Sequence, residues 1–138
     1  MAGASRRDVV SDSKPDRPST RRPATRMFVR MTNVHVPQDG WPAYEAAAQR
    51  LTLEGSPHAP GRIATWLVRS TEDADVGISI QVWESMEALT RYEKTDWFQT
   101  RLVPALELLV IGEYPVMRGE VRFLHDSAQG WVVRLPRW

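Results

Sequence analysis

Ile78-Ser79-Ile80-Gln81-Val82-Trp83-Glu84-Ser85-Met86-Glu87-Ala88-Leu89 decides how this chain is read. Ile78, Ile80 and Val82 alternate with Ser79 and Gln81, the period of two that marks a half-buried strand. Ser85 is a good helix N-cap, and Glu87 puts negative charge in the first turn, where the helix dipole favours it. Met86, Leu89 and Tyr92 then recur at helical spacing. A strand ends and a helix begins at adjacent residues.

Working outward, residues 62–69 form a second strand, joined to the first by an acidic turn over residues 71–75 as an antiparallel hairpin. Gly55, Pro57, Pro60 and Gly61 make the loop before it. Further back, Pro42 opens a helix with Tyr44, Ala47, Ala48 and Leu51 along one stripe, and residues 27–36 read as a strand rich in β-branched residues. On the C-terminal side, Thr95 and Asp96 read as a break and a new N-cap. Phe98, Leu102, Ala105, Leu106 and Leu109 continue at helical spacing, Pro104 should kink or restart that helix, and Gly112 ends it. Residues 114–124 are expected to be a strand interrupted at Gly119. A turn over residues 126–130 and a short strand over 131–135 complete the chain.

The order β-α-β-β-α-β predicts an α+β, ferredoxin-like split β-α-β fold, with two helices on one face of a four-stranded antiparallel sheet. Both strand faces carry apolar residues: Phe28 and Val34 on one side of the first strand, Val29 and Met31 on the other. An apolar sheet face without helices is a partner site, so a homodimer through that face is expected.

With 138 residues, 42% hydrophobic and 25% charged, the composition is that of an ordinary globular domain. The organisation expected is a basic tail over residues 1–26, a folded domain over 27–124, and a C-terminal turn and strand over 125–138. The tail holds seven basic and three acidic residues with Pro15, Pro18 and Pro23, a composition of disorder. It has no apolar core of a secretory signal. The remainder has eleven basic and fourteen acidic residues, which argues against nucleic-acid binding, and no apolar run is long enough for a membrane span. The absence of cysteine removes disulfides and thiolate metal sites and fits a cytoplasmic location. Three scattered histidines show no metal-ligand spacing, and neither a phosphate-binding glycine loop, a nucleophile elbow nor a nicotinamide fingerprint occurs.

The junction Val82-Trp83-Glu84-Ser85-Met86-Glu87-Ala88-Leu89, the pair Pro60-Gly61 and the run Lys94-Thr95-Asp96-Trp97-Phe98 resemble the antibiotic-biosynthesis-monooxygenase-like domains of the dimeric α+β barrel group. The resemblance covers about residues 27–124. It implies a dimeric barrel and a choice among oxygenases, haem-degrading enzymes and members with no assigned reaction. The haem-degrading branch is similar at Asn33, but Tyr92 stands where it has Trp and Leu102 where it has the axial His. Leucine cannot ligate iron, so haem is not expected, and nothing in the sequence asks for a flavin or another cofactor.

What remains is a cofactor-independent monooxygenase acting on aromatic, polyketide-like substrates. It needs an apolar pocket, oxyanion donors and a proton acceptor. Asn33 is the candidate donor, His35 and Tyr92 the proton carriers, and Trp66 and Met31 the substrate contacts. Asn33, His35 and Met31 share one strand face, and the sequence leaves open whether that face meets the helices or a partner. The competing expectation is a non-catalytic dimeric module that binds a small apolar ligand.

Overall fold

The computed structural model describes residues 26–135, so the expected tail lies outside the described residues apart from Arg26. Two compact units are present, Arg26–Val121 and a second within which residues 122–135 are described. In the first, β1 (Phe28–His35) leads to α1 (Trp41–Gly55), β2 (Arg62–Arg69) and β3 (Val76–Trp83). Then come α2 (Met86–Glu93), a π-helical segment (Trp97–Leu102), α3 (Val103–Glu107) and β4 (Val116–Glu120). The sheet runs β2-β3-β1-β4 with every neighbouring pair antiparallel, the βαββαβ arrangement that the element order predicts.

Local chemistry sets the boundaries. Ser85 Oγ accepts a hydrogen bond from the Ala88 N–H at 3.0 Å, so the cap read from the sequence closes α2. At the next break the cap is Thr95, whose Oγ1 accepts from the Phe98 N–H at 3.2 Å, while the Asp96 side chain makes no capping bond. Beyond it the helix restarts at the proline, one of the two outcomes expected: α3 opens at Val103 with Pro104 in its first turn. Pro104 has no N–H to give to the preceding turn, and the turn before it widens until the Val103 N–H reaches Phe98 O, five residues back. The last expected strand is also shorter, ending at Glu120. Phe123–Asp126 and Gly130–Arg134 instead pair with each other as a hairpin, β5 and β6, whose turn is tied by Asp126 Oδ1 accepting from the Ala128 and Gln129 N–H groups at 2.8 Å.

Two apolar clusters form where helices meet sheet. One joins Leu51, Trp83, Leu89, Tyr92, Trp97, Phe98 and Leu102; the other joins Val34, Val36, Trp41 and Tyr44. Val34 and Trp83, 5% and 0% exposed, fix which side of each strand meets the helices. By alternation, Phe28, Arg30, Thr32 and Val34 of β1 and Ser79, Gln81 and Trp83 of β3 face inward. Ile78, Ile80 and Val82, the residues a half-buried strand ordinarily turns to its core, face the other way. On that outer face Met117, Met31, Ile80 and Trp66 follow one another across all four strands, with Met117 and Trp66 more than half exposed.

Candidate functional site: a polar-floored cavity between sheet and helices

The two clusters do not merge. Between them lies a cavity of about 660 Å³, within the size range of small-molecule sites. Its floor is the polar middle of the inward sheet face. Arg30, Gln81 and Thr65 stand opposite one another on β1, β3 and β2, and Thr32, Ser79 and Leu67 form the next row. Tyr44, Ala48 and Thr52 of α1, Phe98 and Leu102 of the π-helical segment, and Leu106, Val110 and Tyr114 supply the walls. The widened turn before Pro104 is therefore part of the cavity wall.

The floor carries one guanidinium, and it is held in place. Arg30 Nε donates to Glu93 Oε2 at 2.6 Å, Nη1 donates to Thr32 Oγ1 at 3.1 Å, and the group lies 5.0 Å from the Phe98 ring centroid. Arg118, opposite Arg30 on β4, binds the same Glu93 carboxylate through Nε and Nη2. Burial would raise the Glu93 carboxyl, but the hydrogen bonds and charges of Arg118 and Arg30 outweigh it and hold the group below its ordinary range. Gln81, 8% exposed, accepts from the Trp83 indole N–H through Oε1 at 3.2 Å. Thr65 Oγ1 is enclosed with no hydrogen-bond partner among the described residues. On the walls, burial pushes the Tyr44 hydroxyl up, and the Tyr114 hydroxyl donates to Glu107 Oε2.

The residues singled out from the sequence are not brought together here. Val34 faces inward, so Asn33 and His35 on either side of it, and Met31 two residues before Asn33, lie on the outer face, away from the cavity. His35 is half exposed, with Nε2 3.7 Å from Asp75 Oδ2. Tyr92 is 1% exposed inside the first cluster, packed against Trp83 and edge-on to Phe98, and burial pushes its hydroxyl up. Trp66 borders the cavity from edge strand β2. Arg30, Thr32, Thr65, Ser79 and Gln81 escaped the sequence reading. Their signal was there: on β1 the inward face reads Phe28-Arg30-Thr32-Val34, polar in the middle and apolar at both ends, and β3 places Ser79 and Gln81 before Trp83.

Among the described residues no group of three or more His, Asp or Glu is placed to hold a metal ion, and no helix is long and apolar enough to cross a membrane. The profile of the family named antibiotic biosynthesis monooxygenase matches residues 27–100. Solved structures with the same fold include a Caulobacter crescentus protein described as a candidate antibiotic biosynthesis monooxygenase. It is 20% identical, with a TM-score of 0.59 over 69% of this chain and 89% of that one. A Bacteroides thetaiotaomicron protein of unknown function, described as a possible oxidoreductase, is 26% identical, with a TM-score of 0.59 over 71% of this chain and 100% of its own. A conserved Methanosarcina mazei protein is 14% identical, with a TM-score of 0.60 over 69% and 92%. No curated protein matches the sequence.

Proposed function

The chain belongs to the antibiotic biosynthesis monooxygenase family, and on that footing we propose that its cavity admits a small aromatic, polyketide-like phenol or enol and lets it react with dioxygen without a cofactor. The observation that carries this reading is the fixed Arg30 guanidinium on the floor of a ligand-sized, largely apolar-walled cavity. Deprotonation leaves an oxyanion beside Arg30 and an electron-rich ring carbon. That carbon gives an electron to dioxygen, the two radicals combine as a peroxide anion, and the carboxyl that took the first proton returns it to give the hydroperoxide. Loss of water then leaves a carbonyl, so one oxygen atom enters the product and the other departs in water. Glu45 and Glu107 line the same cavity and are the proton acceptors in this scheme. A cation about 4 Å from the developing charge is worth roughly 4 kcal/mol at an effective dielectric of 20.

In this reading the oxyanion role passes from Asn33 to Arg30, and Asn33, His35 and Met31 belong to the outer face. We infer that a second copy of the chain covers that face, since Trp66, Val68 and Met117 are each half exposed or more on it. Sedimentation at micromolar concentration should give a dimer; a monomer there removes the inference.

Dioxygen uptake measured with anthrone and naphthol substrates tests the reaction. Arg30→Met should lower uptake about 100-fold, the loss typical of one oxyanion donor, while the fold is retained. The second reading is a ligand-binding module of the same fold without catalysis, which the same cavity would serve. Binding of these compounds without any uptake would establish it.

A further inference from the structure

We propose that Gln81 reads a second oxygen of the ligand, and that Trp83, a core residue outside the cavity, is the positioning residue that sets Gln81 to do so. The proposal rests on the cavity being the ligand site.

An indole N–H only donates, so the 3.2 Å contact from Trp83 Nε1 fixes the Gln81 amide with Oε1 toward Trp83. The amide NH₂, which only donates, is left with no protein partner among the described residues. Trp83 is fully buried at the start of the α2 junction, so it holds this orientation from a rigid part of the core. Directly across β1–β3 stands Arg30, another donor-only group, pinned by Glu93 and Thr32. Across β2–β3 stands Thr65, whose enclosed hydroxyl, able both to donate and to accept, lacks a partner among the described residues. The floor therefore sets two donor-only groups side by side in one row, Arg30 and the Gln81 amide NH₂, and they call for two acceptors on the ligand edge.

Strand spacing sets the separation of those acceptors. Neighbouring strands lie about 4.8 Å apart, which is close to the distance between two oxygens meta to each other on an aromatic ring and well above that of an ortho pair. The ligand class this row fits is a phenol with a second hydroxyl or carbonyl oxygen meta to the ionising one. The ionising oxygen lies at Arg30, the second at Gln81, and the ring carbons lie toward Phe98, Leu102 and Leu106.

Binding constants for resorcinol, catechol and phenol, measured by chemical-shift titration, test the proposal. The wild-type protein should bind resorcinol about tenfold more tightly than phenol or catechol, the gain from one further hydrogen bond to a fixed donor. In Gln81→Leu that preference should vanish while phenol binding is retained through Arg30. Trp83→Phe keeps an aromatic ring but frees the amide to turn, and should reduce the preference only when Gln81 is present. In the Gln81→Leu background it should change nothing further. A merely structural role for Trp83 predicts that phenol and resorcinol affinities fall together, and equally in both backgrounds, and that result overturns the positioning claim. Should Trp83→Phe fail to fold, Gln81→Glu replaces it. 3-Methoxyphenol, whose second oxygen only accepts, should bind the wild type about tenfold more tightly than phenol; a carboxylate at position 81 has no N–H to give it, so that preference should vanish, and its survival overturns the proposal. If phenol binds and resorcinol gains nothing over it, the donor row is wrong and the cavity reading stands. If none of the three binds, both fall.

Discussion

Replacing Glu93 by glutamine removes the one negative charge that Arg30 and Arg118 share. The Arg30 and Glu93 side chains are 14% and 16% exposed, while Arg118 is 44% exposed. Removing one partner of a buried pair costs about 3–5 kcal/mol, because a charge is left uncompensated. Exposed pairs are worth about 0–1 kcal/mol, and solvent screens the Arg118 share accordingly. Glu93→Gln should therefore destabilise the protein by roughly 2–3 kcal/mol, a fall in Tm on the order of 10 °C for a unit of this size. The sign of the pH dependence follows from the direction of the shift. Glu93 is held below its ordinary value in the folded state, so its contribution is full above the unfolded glutamate value near about 4.3 and is lost as pH falls through the folded one. Thermal melts of wild type and Glu93→Gln, followed by circular dichroism, should differ fully at about pH 7. The difference should shrink steadily as pH is lowered through the folded-state value, because the wild-type carboxyl then takes up its proton too. A Tm difference that does not shrink as pH is lowered would refute the assignment of that stability to the Arg30–Glu93–Arg118 group.

Two further predictions concern the frame that holds the site. Ser85→Ala removes the acceptor for the Ala88 N–H and should cost about 1 kcal/mol, seen as a lower urea midpoint with an unchanged m-value. Gly77→Ala is a test of packing. A Cβ there would stand 2.6 Å from Trp41 Cη2 and 2.7 Å from the Val68 carbonyl oxygen, one a buried ring and the other a backbone atom. Neither yields easily, so a loss of about 2 kcal/mol is expected by urea unfolding, and a variant as stable as wild type would mean Trp41 is not packed as described.

Much of the architecture was legible because it is written in local chemistry. The period of two through Ile78, Ile80 and Val82, the cap at Ser85 and the hairpin before β3 need only near neighbours, and together they give the βαββαβ order. Local rules left two outcomes open at Pro104, a kink or a restarted helix, and they do not set the shape of the turn before it; the helix restarts, and what surrounds that turn decides its width. Here Phe98 and Leu102 are buried in a core cluster, and the turn that carries them widens.

The chain by itself determined that each central strand has two different faces, which residues share a face, and which family the fold belongs to. Alternation repeats every two residues and looks the same whichever way the strand is turned, so it could not say which face meets the helices. That was decided by tertiary packing. Val34 with Trp41 and Tyr44, and Trp83 with Leu89 and Tyr92, bind β1 and β3 to the helices by their ends and draw Arg30, Thr32, Ser79 and Gln81 inside between them. One turn of parity moved Asn33 and His35 out of the site and put a guanidinium and an amide in their place.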